Sequence, residues 1–277
     1  MNTGTRDTNK LSYSHRLTPQ QLIRKTIRYL NVSEHIKNAE YKKIAESYCI
    51  AGNYQRIYLV HIRKTGGTSI NNMFLSVSGI PHESIRQQLI AAPRHRIVHS
   101  GYVFVGWNRD LINKGDYYYG FSHIPLHELN LPPKTFTLTC FRDPAKRLLS
   151  HYKMLMGYKI NNVDHPCMLE EGKWLGTSFR EFLDRIPREH LLNQLYMFSS
   201  RFDINEAVEA VRDLSYYMFT ETLDQGIAKL NERLSMELIP FHSHKSNYQF
   251  EVSDSDFAYL TKLLEEEYIF LAKLKAI

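Results

Sequence analysis

One segment of this chain joins an apolar run to a glycine turn and then to a helix, with almost no spacer between them. Residues 56–62 read Arg-Ile-Tyr-Leu-Val-His-Ile, a β-branched and apolar run that is typical of a buried strand. Gly66 and Gly67 follow, and the next apolar residues recur at the spacing of one helical face: Ile70, Met73, Phe74 and Val77. A strand that turns tightly into a helix is the repeating unit of α/β folds with a parallel sheet.

The rest of the chain continues this alternation of strands and helices. Extended patterns predict strands near residues 56–62, 96–105, 117–122, 135–141 and 216–220. Helical periodicity predicts helices near residues 67–77, 83–90, 144–157, 178–198, 204–214, 222–235 and 253–275. The alternation therefore predicts a P-loop-like, three-layer α/β domain with a mostly parallel central sheet flanked by helices.

The N-terminal residues have a different pattern. Thr18-Pro19-Gln20-Gln21 has the form of a helix start with a capping box, and an apolar stripe follows it: Leu22, Ile23, Ile27 and Leu30. A second helix is predicted near residues 34–48, with these side chains inward: Ile36, Ala39, Ile44, Ala45 and Tyr48. Residues 51–53, Ala-Gly-Asn, break that pattern. We therefore expect a basic helical arm of residues 1–50, followed by a single α/β domain of residues 51–277.

The positive charge of the chain is confined to that arm. The net charge is +6, and residues 1–56 hold ten Lys/Arg against four Asp/Glu, so the remaining residues carry 25 charges of each sign. The domain has no overall excess with which to wrap a polyanion, which argues against nucleic acid as the partner. The arm is either a solvated helical face or a peripheral contact to an anionic surface or substrate.

Cysteine content and hydropathy exclude other classes of protein. Three cysteines (Cys49, Cys140 and Cys167) are too few for a disulfide scaffold and favour reduced thiols in the cytoplasm. The longest apolar runs have the length of strands, far below the roughly 20 residues of a membrane span. The first ten residues contain no apolar stretch typical of a signal peptide.

The loop after the strand at residues 56–62 combines the groups that hold a phosphate or a sulfate. Its residues supply two cations, two glycines and three hydroxyls: Arg63, Lys64, Thr65, Gly66, Gly67, Thr68 and Ser69. Glycines allow the backbone to approach an anion, and the dipole of the following helix favours negative charge there. The lysine precedes the glycines, so the segment is not a Walker A loop. An ordinary strand-to-helix turn with polar residues is the alternative.

A second segment of this kind follows the strand at residues 135–141. Arg142 lies at the strand end, and Asp143-Pro144 has the form of a helix cap and first helical residue. Ser150 lies further along the predicted helix, so Arg142 and Ser150 could hold one phosphate from two directions. Alternatively, Arg142 and Asp143 pair with each other or cap the helix.

Both segments resemble those of a known enzyme family. Residues 61–69, His-Ile-Arg-Lys-Thr-Gly-Gly-Thr-Ser, resemble the H-x-P-K-T-G-G-T-[ST] loop of sulfotransferases similar to the heparan sulfate O-sulfotransferases. Residues 142–152, Arg-Asp-Pro-Ala-Lys-Arg-Leu-Leu-Ser-His-Tyr, resemble the family's R-D-P-x-x-R-x-x-S-x-Y segment. The chain departs from the first pattern at Arg63, where proline is usual, which adds charge beside the sulfate and loosens the turn. Weaker similarity continues at residues 192–196, 217–222 and 244–247.

This resemblance implies a donor, a reaction and roles for particular residues. In the family, the first loop holds the 5′-phosphosulfate of PAPS (3′-phosphoadenosine 5′-phosphosulfate), and the residues that match Arg142 and Ser150 bind its 3′-phosphate. The matching lysine, Lys64 here, neutralises charge on the leaving oxygen. The resemblance thus implies sulfuryl transfer from PAPS to a hydroxyl, which is expected on a carbohydrate or glycolipid acceptor. Positioning and electrostatic stabilisation supply most of the rate in such a transfer.

The reaction also needs a base, and histidine suits that role at neutral pH. His123 lies in a segment that resembles the one carrying the family's catalytic histidine, although Phe121 and Ser122 separate it from Gly120. His99 is the alternative base, and His61 is expected to make a structural hydrogen bond. The neighbouring Tyr117–Tyr119 are candidate platforms for a sugar. No metal is expected, because His242 and His244 have no further ligand at metal-binding spacing.

Two other functions remain open at this point. The first is a kinase or another nucleotide-dependent phosphotransferase with an atypical phosphate loop. The absence of the Walker lysine position and of an obvious Mg²⁺ carboxylate after a strand argues against it. The second is a polyanion-binding module, which the balanced charge of residues 57–277 disfavours.

Overall fold

A single six-stranded sheet organises the structure, a computed structural model that describes residues 19–241, 248 and 250–276. Its strands are β1 (Arg56–Val60), β2 (Arg96–His99), β3 (Tyr102–Gly106), β4 (Tyr119–Ser122), β5 (Thr135–Phe141) and β6 (Tyr216–Phe219). Their order across the sheet is β2-β3-β4-β1-β5-β6, and only β2 is antiparallel to its neighbour. The predicted α/β fold with a mostly parallel sheet flanked by helices is confirmed.

Twelve α-helices are assigned among the described residues. They are α1 (Pro19–Glu46), α2 (Gly67–Ser76), α3 (His82–Ala91), α4 (Arg109–Lys114), α5 (Pro144–Ile160), α6 (Phe179–Arg185), α7 (Arg188–Leu191), α8 (Asn193–Tyr196), α9 (Ile204–Arg212), α10 (Leu223–Leu234), α11 (Asp254–Leu263) and α12 (Glu265–Lys275). None of these helices has the length and apolar character needed to cross a bilayer.

Strand β1 is apolar along its whole length because both faces of the sheet are covered. Ile57 and Leu59 pack in the core on one face, together with residues of α2 and α3. Tyr58 and Val60 alternate with them and pack in the core on the other face, which residues of α5 and α6 help to build. All four side chains are fully buried, as expected for the centre of a three-layer parallel sheet.

The parallel register brings several strand ends to one edge of the sheet. Val60 of β1 is paired with Ser122 of β4 on one side and with Thr139 of β5 on the other. The loops that follow these strands therefore leave the sheet side by side. In open α/β sheets, ligands bind in the crevice outside this carboxyl edge.

Several sequence predictions about elements differ from the structure, and one of them is the helix near residues 253–275, which is divided into α11 and α12 at Leu264. Residues 96–105 form a hairpin of β2 and β3 rather than one strand, because Ser100 and Gly101 turn the chain with φ of 48° and 79°. The predicted helix at residues 178–198 is divided into α6, α7 and α8, with the first break at Ile186 and Pro187. Helix α4 was not predicted.

The helices predicted near the N-terminus also need correction. Helix α1 is one continuous helix where two were expected, and the proposed cap Thr18 lies outside the described residues. Ile36 and Ala39 are exposed rather than inward. The chain divides into two compact units, residues 1–40 and Tyr41–Ile277. In the second unit Ala45 and Ile50 are buried.

Candidate functional site

The loop between β1 and α2 is held in a fixed conformation. Lys64 and Gly66 have positive φ of 68° and 90°, which turns the chain sharply. The Thr65 hydroxyl donates to the carbonyl of Ile62 at 3.1 Å, and Thr220, which follows β6, donates to the carbonyl of Thr65 at 2.6 Å. These bonds use Thr65 internally, so its hydroxyl stabilises the loop.

Helix α2 begins at the glycine pair. The N–H groups of Gly67 and Thr68 lie in its first turn, where no carbonyl of the helix can accept them. A Cβ atom at Gly67 would lie well inside van der Waals contact with the His61 ring. Gly67 is therefore required by the packing against His61, while Thr68 is exposed and Ser69 is buried in the same turn.

Lys64 projects into a half-buried position without a carboxylate beside it. Its Nζ lies 3.7 Å from Sδ of Met154, and among the described residues it forms no ion pair. Burial, followed by the charges of Arg142 and Arg63, lowers the pKa of Lys64. Three cations thus converge at one place, and the two guanidinium groups make the charged form of Lys64 less favourable.

Arg142 connects the second predicted segment to the first. It follows β5, and its Nη1 donates to the carbonyl of Lys64 at 3.1 Å. Gln194 holds its backbone from both sides, accepting from the Arg142 N–H at 2.8 Å and donating to its carbonyl at 3.0 Å. Asp143 caps α5 by accepting from the N–H of Lys146 at 2.9 Å. The alternative interpretation is therefore correct in one respect, that Asp143 caps the helix.

The remaining polar residues of α5 have different environments. Ser150 is half-buried, six residues after the first residue of the helix. Arg147, on the same helix, is fully buried, donates to the carbonyl of Leu191 and lies 3.6 Å from Glu267. Arg147 therefore ties α5 to the helices packed behind it and is not available to a ligand.

His123 lies directly after β4 with one ring nitrogen already used. Its Nδ1 donates to the carbonyl of His61 at 2.6 Å, which leaves Nε2 as the unprotonated nitrogen. Burial, followed by the charge of Arg63, lowers the pKa of His123 to about 4. The ring of His61 packs against it at a tilt of 39°, with ring centroids 4.3 Å apart, and bonds to the Asn71 amide at 3.2 Å. The prediction of a structural hydrogen bond for His61 is confirmed.

The fold separates His99 from the other candidates. His99 ends β2 and is paired with Tyr102, the first residue of β3. Because β2 is antiparallel, its end lies at the amino edge of the parallel strands, about 13 Å along β3 from the carboxyl edge. His123, Lys64 and Arg142 all follow strands at that carboxyl edge. His99 is therefore not placed with them.

The sequence analysis missed a buried ionic network beside His123. Arg63 donates to one oxygen of Glu171, and Nε2 of His151 donates to the other at 2.6 Å. Burial alone would raise the pKa of Glu171, but the bond from His151 and the charge of Arg63 bring it below its usual range. Burial lowers the pKa of His151 to about 4. No local sequence motif could predict this contact, because Glu171 is 108 residues from Arg63 in the sequence.

The tyrosines beside the candidate base do not form a sugar platform. Tyr117 and Tyr119 are fully buried and Tyr118 is 7% exposed, so that prediction was wrong. Tyr117 packs in the core on one face of the sheet, and Tyr118 and Tyr119 pack in the core on the other face. Residues 242–247 lie outside the described residues. They include the pair His242 and His244 and the weakly similar segment at residues 244–247.

A cleft opens beside His123 instead. Its volume is about 170 Å³. Its lining comes from the loops after β1 and β4 and from α7, α8 and the residue after it: Arg63, His123, Pro125, Glu128, Glu189, His190, Asn193, Tyr196 and Met197. The segment at residues 192–196 thus contributes both to the cleft and, through Gln194, to the support of Arg142.

Comparison with known proteins identifies no family for this chain. No protein-family model matches it, and no curated protein sequence matches it. Across the described residues, no group of three or more His, Cys, Asp or Glu side chains is arranged to hold a metal ion.

Proposed function

We propose that the protein is a PAPS-dependent O-sulfotransferase. The observation that carries this proposal is the hydrogen bond from Nη1 of Arg142 to the carbonyl of Lys64. It joins the two segments that resemble the family's anion-binding segments, at one edge of the sheet. A donor with a phosphosulfate at one end and a phosphate at the other needs two such sites close together.

The cations at this edge fit such a donor. Arg142 and Arg63, after burial, lower the pKa of Lys64, and among the described residues Arg63 alone of these three cations forms an ion pair with a carboxylate. An anion beside Lys64 would relieve this repulsion. In the proposed complex the loop from Arg63 to Ser69 holds the 5′-phosphosulfate, through Lys64 and the N–H groups of Gly67 and Thr68. Arg142 and Ser150 hold the 3′-phosphate.

Sulfuryl transfer then needs one proton transfer and one charge to be stabilised. The acceptor oxygen forms a bond to sulfur while the bond from sulfur to the bridging phosphate oxygen breaks. The acceptor proton passes to Nε2 of His123, and the negative charge that develops on the bridging oxygen is stabilised by Lys64. The products are the sulfate ester, PAP (3′-phosphoadenosine 5′-phosphate) and a protonated His123, which returns its proton to solvent.

His123 is suited to this step by its fixed orientation. The bond from its Nδ1 to the carbonyl of His61 selects the form in which Nε2 is free to accept a proton. Its low pKa keeps Nε2 unprotonated throughout the neutral range. Binding of an anionic donor beside Arg63 and Lys64 would raise that pKa and make His123 a stronger base.

The proposal also includes the acceptor, the cellular compartment and the role of the N-terminal arm. The acceptor hydroxyl belongs to a carbohydrate or glycolipid. Cys49, Cys140 and Cys167 are free thiols, which fits a reducing compartment such as the cytoplasm. The basic residues of the N-terminal arm could contact an anionic surface peripherally.

Thermal denaturation with two nucleotides separates this function from a kinase. PAP at 100 times its dissociation constant should stabilise the fold by about 2.7 kcal/mol, which raises Tm by roughly 5–10 °C for a protein of this size. ATP with Mg²⁺ at the same concentration should raise Tm less. Lys173→Ala, an exposed lysine paired with Glu170, is the control variant and should respond as the wild type does.

A larger shift with ATP and Mg²⁺ than with PAP would contradict the proposal and favour phosphoryl transfer. Stabilisation by any polyanion in proportion to its charge, abolished by moderate salt, would favour a polyanion-binding module.

A further inference from the structure

The cleft beside His123 has the size of a single small unit of an acceptor. Its volume is about 170 Å³, below the roughly 300–1,000 Å³ of pockets that enclose a drug-sized ligand. His123 lies in its wall, so an acceptor unit bound in the cleft lies beside the candidate base. A longer acceptor would extend from it along the surface.

The charges around the cleft are unfavourable for an anion. Arg63, the one Lys or Arg side chain that the described residues contribute to the cleft lining, is already paired with the buried Glu171. Glu128 is paired with Arg109. Glu189 is exposed and forms no ion pair with any described residue, so one carboxylate in the lining stays uncompensated.

The other lining groups are neutral hydrogen-bonding and aromatic groups. The pKa of His123 and that of His190 are both lowered by burial, so both rings are neutral near pH 7. Nδ1 of His190 is buried without a hydrogen-bond partner among the described residues. Asn193 accepts from the Arg63 N–H at 3.4 Å and donates to the carbonyl of Glu189 at 3.1 Å.

Tyr196 supplies a rigid aromatic wall. Its ring stacks on Phe202 with centroids 5.4 Å apart, and the ring of His127 lies nearly perpendicular to it with centroids 5.4 Å apart. Packed on two sides, the ring loses little further freedom when a ligand covers it. An aromatic surface with a polar tip suits a molecule that carries both C–H and hydroxyl groups.

From these features we propose that the cleft binds an uncharged, polyhydroxylated unit of the acceptor, such as a neutral sugar, and disfavours an acidic one. Glu189 sets this preference by repelling carboxylates and sulfates, and Tyr196 packs against the ring of the sugar. The proposal rests on the proposed function, because it takes His123 as the base that receives the acceptor hydroxyl.

The test uses two glycosides that differ in one group, in the presence of saturating PAP. Methyl α-glucoside and the methyl glycoside of glucuronic acid are titrated while the ring signals of His123 are followed by NMR. We expect the glucoside to shift these signals with a dissociation constant at least tenfold lower than that of the glucuronide. Tyr196→Ala should weaken glucoside binding at least tenfold, and Tyr196→Phe should retain it.

A charge reversal gives the sharper comparison. Glu189→Lys should tighten glucuronide binding about tenfold or more and reduce the preference for the glucoside. The reason is that a side chain that repels the glucuronide carboxylate is replaced by one that attracts it. Glu232→Lys, an exposed glutamate of α10, makes the same change of net charge elsewhere and should leave both affinities within twofold.

The failure of this inference is distinguishable from that of the proposed function. Equal or tighter binding of the glucuronide by the wild type would overturn the inference, as would the absence of any glycoside-dependent shift at His123. PAP affinity is measured by a separate titration of the same protein without glycoside, so the absence of PAP binding would count against the sulfotransferase proposal itself.

Discussion

At the residue scale, Lys64 combines a positive charge with a position that stabilises that charge poorly. It is half-buried, faces the sulfur of Met154 and lies close to two guanidinium groups. A lysine placed only for stability would have a carboxylate partner or full exposure. Its environment instead suits a group that interacts with a bound anion.

Lys64→Ala should therefore reduce turnover without weakening the fold. Loss of one preorganised positive group costs about 10²–10³ in rate, and Tm should stay the same or rise as cation repulsion is relieved. The measurement is the release of PAP from PAPS, with Lys173→Ala as the exposed control. An unchanged rate in Lys64→Ala would remove this residue from the mechanism.

The base can be assigned by comparing two histidines at opposite edges of the sheet. His123→Ala should lower turnover by about 10²–10⁴ while PAP affinity stays within about twofold, because Nε2 acts on the acceptor. His99→Ala should change neither quantity. The reverse result, a loss confined to His99→Ala, would contradict the topology-based assignment.

At the element scale, the interior strands were predictable and the turns were less so. The run Ile57–Val60 is apolar at every position, so both the existence of β1 and its central position followed from the sequence. The hairpin at Ser100 and Gly101 was missed because a continuous apolar pattern does not show where a strand reverses. Helix α1 was divided in error, although neither glycine nor proline interrupts residues 20–50.

The start of α2 depends on the contact between Gly67 and His61. Gly67→Ala should destabilise the protein by about 1–3 kcal/mol, because the added methyl group forces the His61 ring or the helix start to move. It should also weaken PAP binding, since the N–H groups of the first turn move with it. Chemical denaturation and calorimetry measure the two effects.

Thr68→Ala is the matched control for stability in the same turn. Thr68 is exposed, so its truncation should change the free energy of unfolding by less than about 0.5 kcal/mol. Equal stability of Gly67→Ala and Thr68→Ala would show that the glycine is not required by packing.

At the scale of the whole molecule, the candidate site is assembled from distant parts of the chain. The loop after β1 and Arg142 were identified from local patterns, because strand ends and helix caps have recognisable residues. Glu171 was not identified, and Gln194 was covered only by the weakly similar segment at residues 192–196, since each acts through contacts with residues far away in sequence. Such contacts depend on how the layers pack and leave no periodic signal.

The buried histidines predict how the stability of the whole protein depends on pH. The pKa of His151 and that of His123 are lowered to about 4, against about 6.5 in the unfolded chain. Between these values the unfolded chain binds more protons, so the free energy of unfolding should be highest above pH 6.5 and fall steadily towards pH 4. Each histidine contributes up to about 3 kcal/mol to this loss.

Urea denaturation at several pH values measures this effect. His151→Gln should reduce the slope between pH 6.5 and pH 4, because it removes one of the buried histidines that resist protonation. A free energy of unfolding that is constant over this range would contradict the buried, neutral state of these histidines.

The central claim is that Arg142 and the Lys64 loop together hold a nucleotide with a 3′-phosphate. Calorimetric titration of the purified protein with PAP and with AMP tests it most directly. One charge-assisted hydrogen bond contributes roughly 1.5–3 kcal/mol, so PAP should bind about 10- to 100-fold more tightly than AMP. Arg142→Gln should remove most of that difference. Equal affinities for PAP and AMP in the wild-type protein would contradict the account.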